Sequence, residues 1–265
     1  MSIVQLSPTD VALAALLVMA MAAASLMLGL AVHRQLLWAA VRMVVQLLLV
    51  ALVLRWVFAH ATAPLVAAIV AVMILAAARE VAVRPAARLR GGGNHRIGLL
   101  VVGASSTVCV VLALTTAIRP QPWYDPRYAI PLMGIVLGSV LNAASLGLES
   151  FFDGVRGGRA TIEAQLALGT PIYQALGTLI RSSIRRGLIP VINQMSAAGL
   201  ITLPGVMTGQ LLTGMDPLHA VLYQILLLFL LTGASGLAVG AAVYLAARSV
   251  TDARDRLRLD RFTDR

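Results

Sequence analysis

No lysine occurs in the 265-residue sequence, so all 21 basic residues are arginine. A Walker A loop uses a lysine to contact nucleotide phosphates, and its absence excludes a standard ATP-hydrolysing P-loop. Cysteine is almost as scarce, because Cys109 is the only one and lies in an apolar run. One cysteine cannot form a disulfide or a cysteine-based metal cluster within the chain. We therefore expect this chain to bind no cofactor.

Charged residues are also rare, at 12% of the sequence, while hydrophobic residues make up 59%. This composition is typical of an integral membrane protein. No aspartate or glutamate lies in the middle of an apolar run. Proton-coupled carriers use an intramembrane carboxylate or histidine as a relay, so a carrier of that kind is disfavoured. The histidines lie in loops or at the ends of runs without HExxH spacing, and no G-x-S-x-G motif indicates a hydrolase.

Seven uncharged or nearly uncharged runs are long enough to cross a bilayer as helices. They cover residues 11–32, 36–58, 61–78, 97–118, 128–148, 187–215 and 217–247. We therefore predict an all-α, polytopic membrane protein with about seven transmembrane helices. Residues 1–250 form the predicted transmembrane domain, and residues 251–265 form an Arg/Asp-rich cytoplasmic tail that looks like a flexible or surface segment.

Arginine is distributed unequally between the two sets of connecting loops. One side carries only Arg119 and Arg127, whereas the loops 79–96 and 149–186 and the residues after 247 hold most of the others. By the positive-inside rule, the N-terminus lies outside and the C-terminus in the cytoplasm of a bacterial inner (plasma) membrane. The net charge of +10 then reflects membrane sidedness and contact with lipid, and we expect no nucleic-acid partner.

The predicted cytoplasmic stretch 149–186, which we call the elbow, is too long for a passive turn. Its apolar residues recur at helical spacing. Gly169 suits a helix end and Pro171 a helix start, so we predict two cytoplasmic helices joined at Gly-Thr-Pro. A helical elbow on a membrane protein without a P-loop favours the docking of a partner. The alternative is an ordinary amphipathic surface helix.

Within the elbow, IEAQLALGTPIYQAL resembles the Glu-Ala-Ala...Gly coupling loop of ABC transporter permeases. Glu163, Ala164 and Gly169 match the fixed points of that loop, and Leu168 lies beside them. The match is partial, because Pro190 lies later in the chain than the proline that closes the usual loop.

A second resemblance covers nearly the whole chain. It is carried by RMVVQLLLV, GSVLNAASLGLE, IEAQLALG and LIPVINQMSAAGLITLPGVMTGQLLTGMDP. These segments are similar to the FetB-like family of ABC permeases, regarded as iron exporters and related to plant aluminium-tolerance membrane subunits. The segment GVRGGR (154–159) departs from the family pattern and leaves open whether the helix is continuous there.

The resemblance implies a permease subunit, expected as a homodimer, that exports iron or another metal ion. It also implies a separate cytoplasmic ABC ATPase subunit, which binds the ATP and Mg that this chain does not. In that arrangement Glu163, Ala164, Leu168 and Gly169 couple the permease to the ATPase.

On the predicted fifth span, one helix face is small and polar. It comprises Pro131, Gly134, Gly138, Asn142, Ser145 and Glu149. An asparagine in lipid must find a polar partner, so Asn142 and Ser145 are candidates for a substrate pathway. The alternative for the glycines is simple G-x-x-x-G helix packing.

The predicted sixth span combines polar and thioether side chains with a Pro-Gly pair. Its candidate pathway or gate residues are Asn193, Gln194, Met195, Ser196, Thr202, Pro204, Gly205, Met207 and Thr208. In a continuous helix, Pro204 would leave the carbonyl of Leu200 without its partner, which suits an outer hinge or gate beside a water-filled cavity. The alternative is a kinked packing helix whose methionines fill gaps.

Arg42 and Gln46 share one face of the second span and are expected to have a structural or gating role, because a fixed positive charge would oppose a cation in the pathway. The ligands of any metal remain unknown from the sequence, as does whether one chain or two line the pathway. Two further functions stay open: a non-translocating membrane subunit that anchors or regulates an ATPase, and a secondary carrier.

Overall fold

The computed structural model describes residues 7–85, 87–89, 92–252 and 256–263. They belong to two compact units, Met1–Ala61 and Thr62–Arg265. The predicted all-α, polytopic fold is confirmed, since six helices within these ranges are long and apolar enough to cross a membrane. The helices are α1 (Pro8–Met27), α2 (His33–Ala59), α3 (Ala63–Val83), α4 (Gly93–Leu112), α5 (Pro126–Gly157), α6 (Arg159–Ala167), α7 (Ile172–Ala175), α8 (Gly177–Ala197), α9 (Gly205–Leu212) and α10 (Pro217–Ser249).

The first unit is a pair of contacting helices, α1 and α2. Ser7 and Asp10 form a capping box at the start of α1, with the Ser7 backbone N–H donating to the Asp10 carboxylate at 2.8 Å. At the other end of α1, the N–H of Val32 donates to the buried Ser25 hydroxyl at 3.2 Å, which fixes the connection to α2. The predicted first two spans are therefore both present as helices.

In the second unit, α5 packs against α3, α8 and α10. Val136, Val140, Ala144 and Leu148 recur every four residues along α5 and are fully buried, as a helix with one core-facing stripe requires. Asp-Pro pairs start both α5 and α10. Asp125 caps α5 through its carboxylate, and each proline occupies the first turn, where no intrahelical N–H bond is needed.

The last turns of the fourth predicted span differ from a regular α-helix. After α4, residues Ala113–Ile118 continue as a π-helix. The hydroxyls of Thr115 and Thr116 donate to the carbonyls of Val111 and Leu112 at 2.7 and 2.6 Å, which satisfies backbone oxygens that the wider helix leaves available. The span thus ends at Ile118 as predicted, and it begins four residues earlier than predicted, at Gly93.

The predicted sixth span, 187–215, is not one helix. α8 ends at Ala197, Gly199 has a φ of +86°, and Pro204 is the N-cap of the short α9. Glycine accepts the left-handed backbone after a helix, and proline starts a new helix rather than continuing the old one. The prediction of a proline kink that frees the Leu200 carbonyl inside a continuous helix was therefore wrong.

α5 and α8 also extend past the charge boundaries that define the spans. α5 continues to Gly157, Gly158 separates it from α6, and α8 already begins at Gly177. This answers the question of continuity at 154–159, because the helix stops there and a new one starts at Arg159. The predicted break at Gly-Thr-Pro is confirmed, since Gly169 has a φ of +84° and Pro171 is the N-cap of α7.

The described part of the tail is packed against other parts of the second unit. Strand β1 (Arg88–Leu89) pairs in antiparallel fashion with strand β2 (Phe262–Thr263), after a 3-10 turn at Leu259–Arg261. The Phe262 ring packs edge-on against Phe152 of α5, with ring centroids 5.3 Å apart. The connection from α3 to α4, the end of α5 and the tail therefore lie together, and we call this side of the second unit its basic end.

Candidate functional site

A cavity of about 240 Å³ lies between α5, α8 and α10. Small side chains leave the space, and hydroxyl and amide groups line it. The lining residues are Gly134, Ile135, Gly138, Ser139, Asn142, Ala143, Gly187, Pro190, Val191, Gln194, Leu231 and Ser235. Asn142 and Gln194 were predicted as pathway residues, and the structure brings them to the same cavity.

Two serines that the sequence did not single out join α5 to α10 beside this cavity. The hydroxyl oxygens of Ser139 and Ser235 are 2.8 Å apart and share a hydrogen bond. In an apolar surrounding each hydroxyl needs such a partner, so the pair fixes the two helices relative to each other. Since 96 residues separate the two positions, the pattern of either helix alone does not reveal the pair.

Asn142 also contacts Arg84, the C-cap residue of α3. The Arg84 guanidinium donates to the Asn142 side-chain oxygen at 3.0 Å, and the Arg84 Nε lies 3.9 Å from the Glu80 carboxylate. The two arginine contacts place a positive charge at the predicted pathway residue. Arg84 was not predicted as a site residue. The sequence offers one indication of it, which is its position shortly after the third apolar run.

Close approach of α5, α8 and α10 depends on two glycines. A Cβ atom added to Gly187 would lie 2.6 Å from the carbonyl oxygen of Ala143 and 2.5 Å from a Val239 methyl group. A Cβ on Gly147 would overlap the same methyl group. Gly138, by contrast, has no such neighbour within 4 Å. The predicted G-x-x-x-G glycines of α5 therefore line the cavity, and Gly147 with Gly187 makes the close packing.

The other predicted pathway residues lie outside this cavity. Ser145 is buried on α5, and its hydroxyl has no hydrogen-bond partner among the described residues. On α8, Met195 accepts a hydrogen bond from the Thr232 hydroxyl at 3.2 Å, and the Ser196 hydroxyl donates to the Ile192 carbonyl at 3.0 Å. Asn193 is exposed on the same helix.

Beyond α8, the candidates lie on a turn and on α9. Thr202 pairs with Ala198 in an isolated bridge, and the Thr208 hydroxyl donates to the Pro204 carbonyl at 3.2 Å. Gly205 begins α9, and Met207 lies in it. These residues form a local structure of their own rather than a continuation of the α8 surface.

The elbow combines buried anchoring residues with the exposed residues that were predicted to couple to a partner. Ile162, Ile172 and Leu176 are buried and anchor α6 and α7 to the unit. Glu163, Ala164, Leu168 and Gly169 are all exposed, and the Leu168 side chain is 87% exposed. The Arg159 Nε donates to the Glu163 carboxylate at 2.9 Å. All four predicted coupling residues are thus accessible, and two of them, Glu163 and Gly169, line the same cavity. Their coupling role stays a prediction.

Arg42 and Gln46 are exposed on α2 in the first unit, and their structural or gating role stays a prediction. Among the described residues, no group of three or more His, Cys, Asp or Glu side chains is placed to hold a metal ion.

The six membrane-length helices, with a polar cavity among three helices and a helical elbow at the basic end, define a multi-pass, all-α membrane protein. The chain belongs to UPF0014, described as an uncharacterised protein family, whose model matches residues 8–251.

Similar proteins come from bacteria and from plants. A UPF0014 membrane protein of Synechocystis is 40% identical over 219 residues, covering 82% of this chain and 84% of the relative. The "Probable iron export permease protein FetB" of Escherichia coli is 31% identical over 228 residues, covering 86% of each chain. The "UPF0014 membrane protein STAR2" of rice is 32% identical over 233 residues, covering 88% of this chain and 80% of the relative. No solved structure matches the chain.

Proposed function

We propose that this chain is the permease subunit of an ATP-driven ABC transporter in a bacterial inner membrane. In this proposal a homodimer of the chain exports a metal ion, with iron as the first candidate, and a separate cytoplasmic subunit binds ATP and Mg and hydrolyses the ATP. The basic end faces the cytoplasm, and the elbow docks the ATPase through Glu163, Ala164, Leu168 and Gly169.

One observation carries the proposal: the two helices that flank the elbow are also two walls of the polar cavity. α5 lines the cavity at Asn142 and ends at Gly157, just before α6. α8 starts at Gly177, just after α7, and lines the cavity as far as Gln194. A displacement of the elbow is therefore passed to both cavity walls through continuous helices. This is what coupling to an ATPase requires.

The third wall, α10, is joined to the elbow as well. Tyr173 of α7 stacks on Tyr244 of α10, with ring centroids 5.9 Å apart. Within α8, Pro190 lacks an N–H and removes one intrahelical hydrogen bond beside the cavity. In the proposed mechanism α8 bends further at this point when the elbow moves, which adds to the displacement of its cavity end.

The cavity chemistry is compatible with passage of a cation. Amide and hydroxyl oxygens can replace part of the hydration shell of an ion. Arg84 at Asn142 opposes a cation by charge repulsion, so in the proposed mechanism the arginine closes this end of the cavity and turns away when the path opens. Iron and the direction of export come from the name of the Escherichia coli relative.

A homodimer would cover polar groups that one chain leaves open. Asn193, Gln194 and Ser196 are exposed on the last turns of α8, and α9 has no buried residue. Polar side chains at membrane depth are costly against lipid and normally face protein or water. A second copy of the chain, placed against this surface, would supply that environment.

Reconstitution tests the proposal directly. The chain is purified with an ABC ATPase subunit that co-purifies with it, placed in liposomes, and assayed for ATP-driven flux of ferrous iron. The expected result is flux that requires ATP. Flux driven by a proton gradient without ATP would indicate a secondary carrier instead, and ATPase binding without flux would indicate an anchoring subunit.

Two variants test the assigned parts separately. Glu163→Arg replaces the carboxylate that pairs with Arg159 by a second positive charge, and we expect it to abolish ATPase binding and flux. Glu163→Gln should retain part of both. Asn142→Leu removes the acceptor of Arg84, and we expect impaired flux with normal ATPase binding. Unchanged ATPase binding in Glu163→Arg would contradict the docking role, and normal flux in Asn142→Leu would contradict the pathway.

A further inference from the structure

An apolar cavity of about 550 Å³ lies between α3, α4 and the start of α5, at the end of the second unit opposite the basic end. Buried side chains such as Val110 and Met133 form its floor. Trp123 lies at its edge and is 57% exposed, so the cavity opens at the surface of the unit. Apart from Thr107, Trp123 and Tyr124, every lining side chain is apolar and carries no hydrogen-bonding nitrogen or oxygen.

Alanines on α3 leave the space for this cavity. Ala63, Ala67 and Ala71 are four residues apart, lie along one helix face, and all line the cavity. Between Ala63 and Ile74, which both line it, α3 rises by about 16 Å at about 1.5 Å per residue. The hydrocarbon core of a bilayer is about 30 Å thick, so the cavity has the depth of one lipid leaflet.

Aromatic residues indicate where this cavity meets the membrane surface. Trp123 and Tyr124 follow the end of the fourth span, and their rings pack edge-on with centroids 6.0 Å apart. Tryptophan and tyrosine are enriched at the level of the lipid headgroups. Ala63, the first residue of α3, lines the same cavity. The cavity therefore runs from the headgroup region toward the middle of the membrane, as an acyl chain does.

Two arginines lie close in sequence to the aromatic pair. The N–H of Arg119 donates to the carbonyl of Leu114, a lining residue, at 3.0 Å, and Arg127 lies in the first turn of α5. Both arginines are exposed, and neither forms an ion pair with another described residue. Asp125 lies between them in sequence, where its carboxylate accepts the N–H of Arg127. The segment 119–127 thus keeps one net positive charge.

We propose that this cavity binds one acyl chain of an anionic phospholipid, whose headgroup phosphate is contacted by Arg119 and Arg127. The apolar lining suits a hydrocarbon chain, and guanidinium groups form strong hydrogen bonds to phosphate. The inference depends on the membrane location of the chain and not on the proposed transport activity. A lipid bound here holds α3, α4 and α5 together at the end of the unit that the β1–β2 pairing does not reach.

Native mass spectrometry of the full chain tests the inference. The protein, purified in detergent, is mixed with equal amounts of phosphatidylglycerol and phosphatidylcholine that carry identical oleoyl chains. The expected result is one retained lipid per chain, predominantly phosphatidylglycerol. Retention of both lipids in equal amounts, or of neither, would overturn the inference.

Filling the cavity tests where the lipid binds. Ala67→Phe should lower lipid retention at least about tenfold, the loss expected when about two methylene groups can no longer be buried. Ala68→Phe is the matched control, because Ala68 is the exposed neighbour on α3 and does not line the cavity. Equal retention in the two variants would contradict the assignment. Loss of a dimer of the chain instead of lipid in Ala67→Phe would assign the cavity to a second copy and also overturn it.

A pair of double variants tests the headgroup contact without altering the cavity. Arg119→Gln combined with Arg127→Gln should lower the ratio of bound phosphatidylglycerol to phosphatidylcholine, by about fivefold for each arginine removed. Arg185→Gln combined with Arg248→Gln removes two exposed arginines at the basic end and should leave the ratio unchanged. The same ratio in both double variants would refute the contact of Arg119 and Arg127 with the headgroup.

Discussion

The close packing of α8 against α5 and α10 can be tested by adding one methyl group. In Gly187→Ala, the new Cβ lies 2.6 Å from the Ala143 carbonyl oxygen and 2.5 Å from a Val239 methyl group, so α8 must shift away from α5. Gly233→Ala is the matched control. Gly233 is also inside a helix, α10, and has no such neighbour within 4 Å.

The expected magnitudes follow from two opposing effects. Both substitutions gain about 1 kcal/mol, because alanine has a higher helix propensity than glycine. Only Gly187→Ala adds overpacking, which costs about 1–3 kcal/mol. The two variants should therefore differ in free energy of unfolding by about 1–3 kcal/mol, with Gly187→Ala less stable. At roughly 2–4 °C per kcal/mol, the midpoints differ by about 2–12 °C.

The chain offers its own reporter for this measurement. Cys109 is the single cysteine and is buried on α4, so a fluorogenic thiol reagent reacts as the second unit unfolds in detergent. Equal unfolding midpoints for Gly187→Ala and Gly233→Ala would refute the close approach of α5 and α8.

A double-mutant cycle tests which neighbouring atoms obstruct each added methyl group. Val239→Ala should largely relieve Gly147→Ala, because a Val239 methyl group is the nearest obstacle to the Gly147 Cβ. It should relieve Gly187→Ala much less, because the Ala143 carbonyl oxygen remains in the way. Equal rescue of the two glycine variants would show that the contacts are assigned incorrectly.

Three smaller effects are also expected. Ser139→Ala leaves its hydroxyl partner on α10 unpaired and should lower the free energy of unfolding by about 0.6 kcal/mol, measurable in the same thiol assay; a loss above about 2 kcal/mol would contradict a simple interhelical hydrogen bond. Phe262→Ala removes a buried ring and should lower the local stability of the tail by about 3 kcal/mol. Amide hydrogen exchange in 256–263 should therefore accelerate about a hundredfold. The control Phe229→Ala, on the exposed side of α10, should leave that exchange unchanged. Two hydrogen bonds from the Arg258 guanidinium lower the pKa of Asp260 from 3.8 to about 2. The pair's contribution to folding stability is therefore present above pH 3.8 and is lost as the pH falls through 2. An NMR titration of Arg258→Gln should show the Asp260 midpoint returning toward 3.8.

The sequence predicts most of the helices, because long apolar runs have few other structures available in a membrane. The span predicted at 217–247 corresponds to α10, Pro217–Ser249, and the span predicted at 36–58 corresponds to α2, His33–Ala59. The failure at 187–215 has a physical reason. Glycine and proline are tolerated inside transmembrane helices, so Gly199 and Pro204 do not by themselves distinguish a kink from two separate helices. Charge marks where a span leaves the lipid, but it does not mark where a helix ends, and α8 therefore begins within the predicted elbow.

The candidate site was predictable only where one helix carries the signal. Asn142 and Gln194 are polar residues in apolar runs, and each is recognisable from its own span. The contact between Arg84 and Asn142 joins residues 58 positions apart, and it depends on the crossing of α3 and α5. Side-chain periodicity within a span contains no information on such crossings.

In the proposed mechanism, the length of α8 between the elbow and the cavity sets the size of the movement that a tilt of the elbow produces, before any further bending at Pro190. Gly177 and Gln194 are separated by about 25 Å along the helix axis, at about 1.5 Å per residue. Tilting such a rod by about 10° around its elbow end carries Gln194 sideways by about 4 Å, which exceeds the roughly 2.8 Å diameter of a water molecule. In the proposed mechanism, a tilt of about 10° at the basic end is therefore large enough to admit or expel a layer of water beside Gln194.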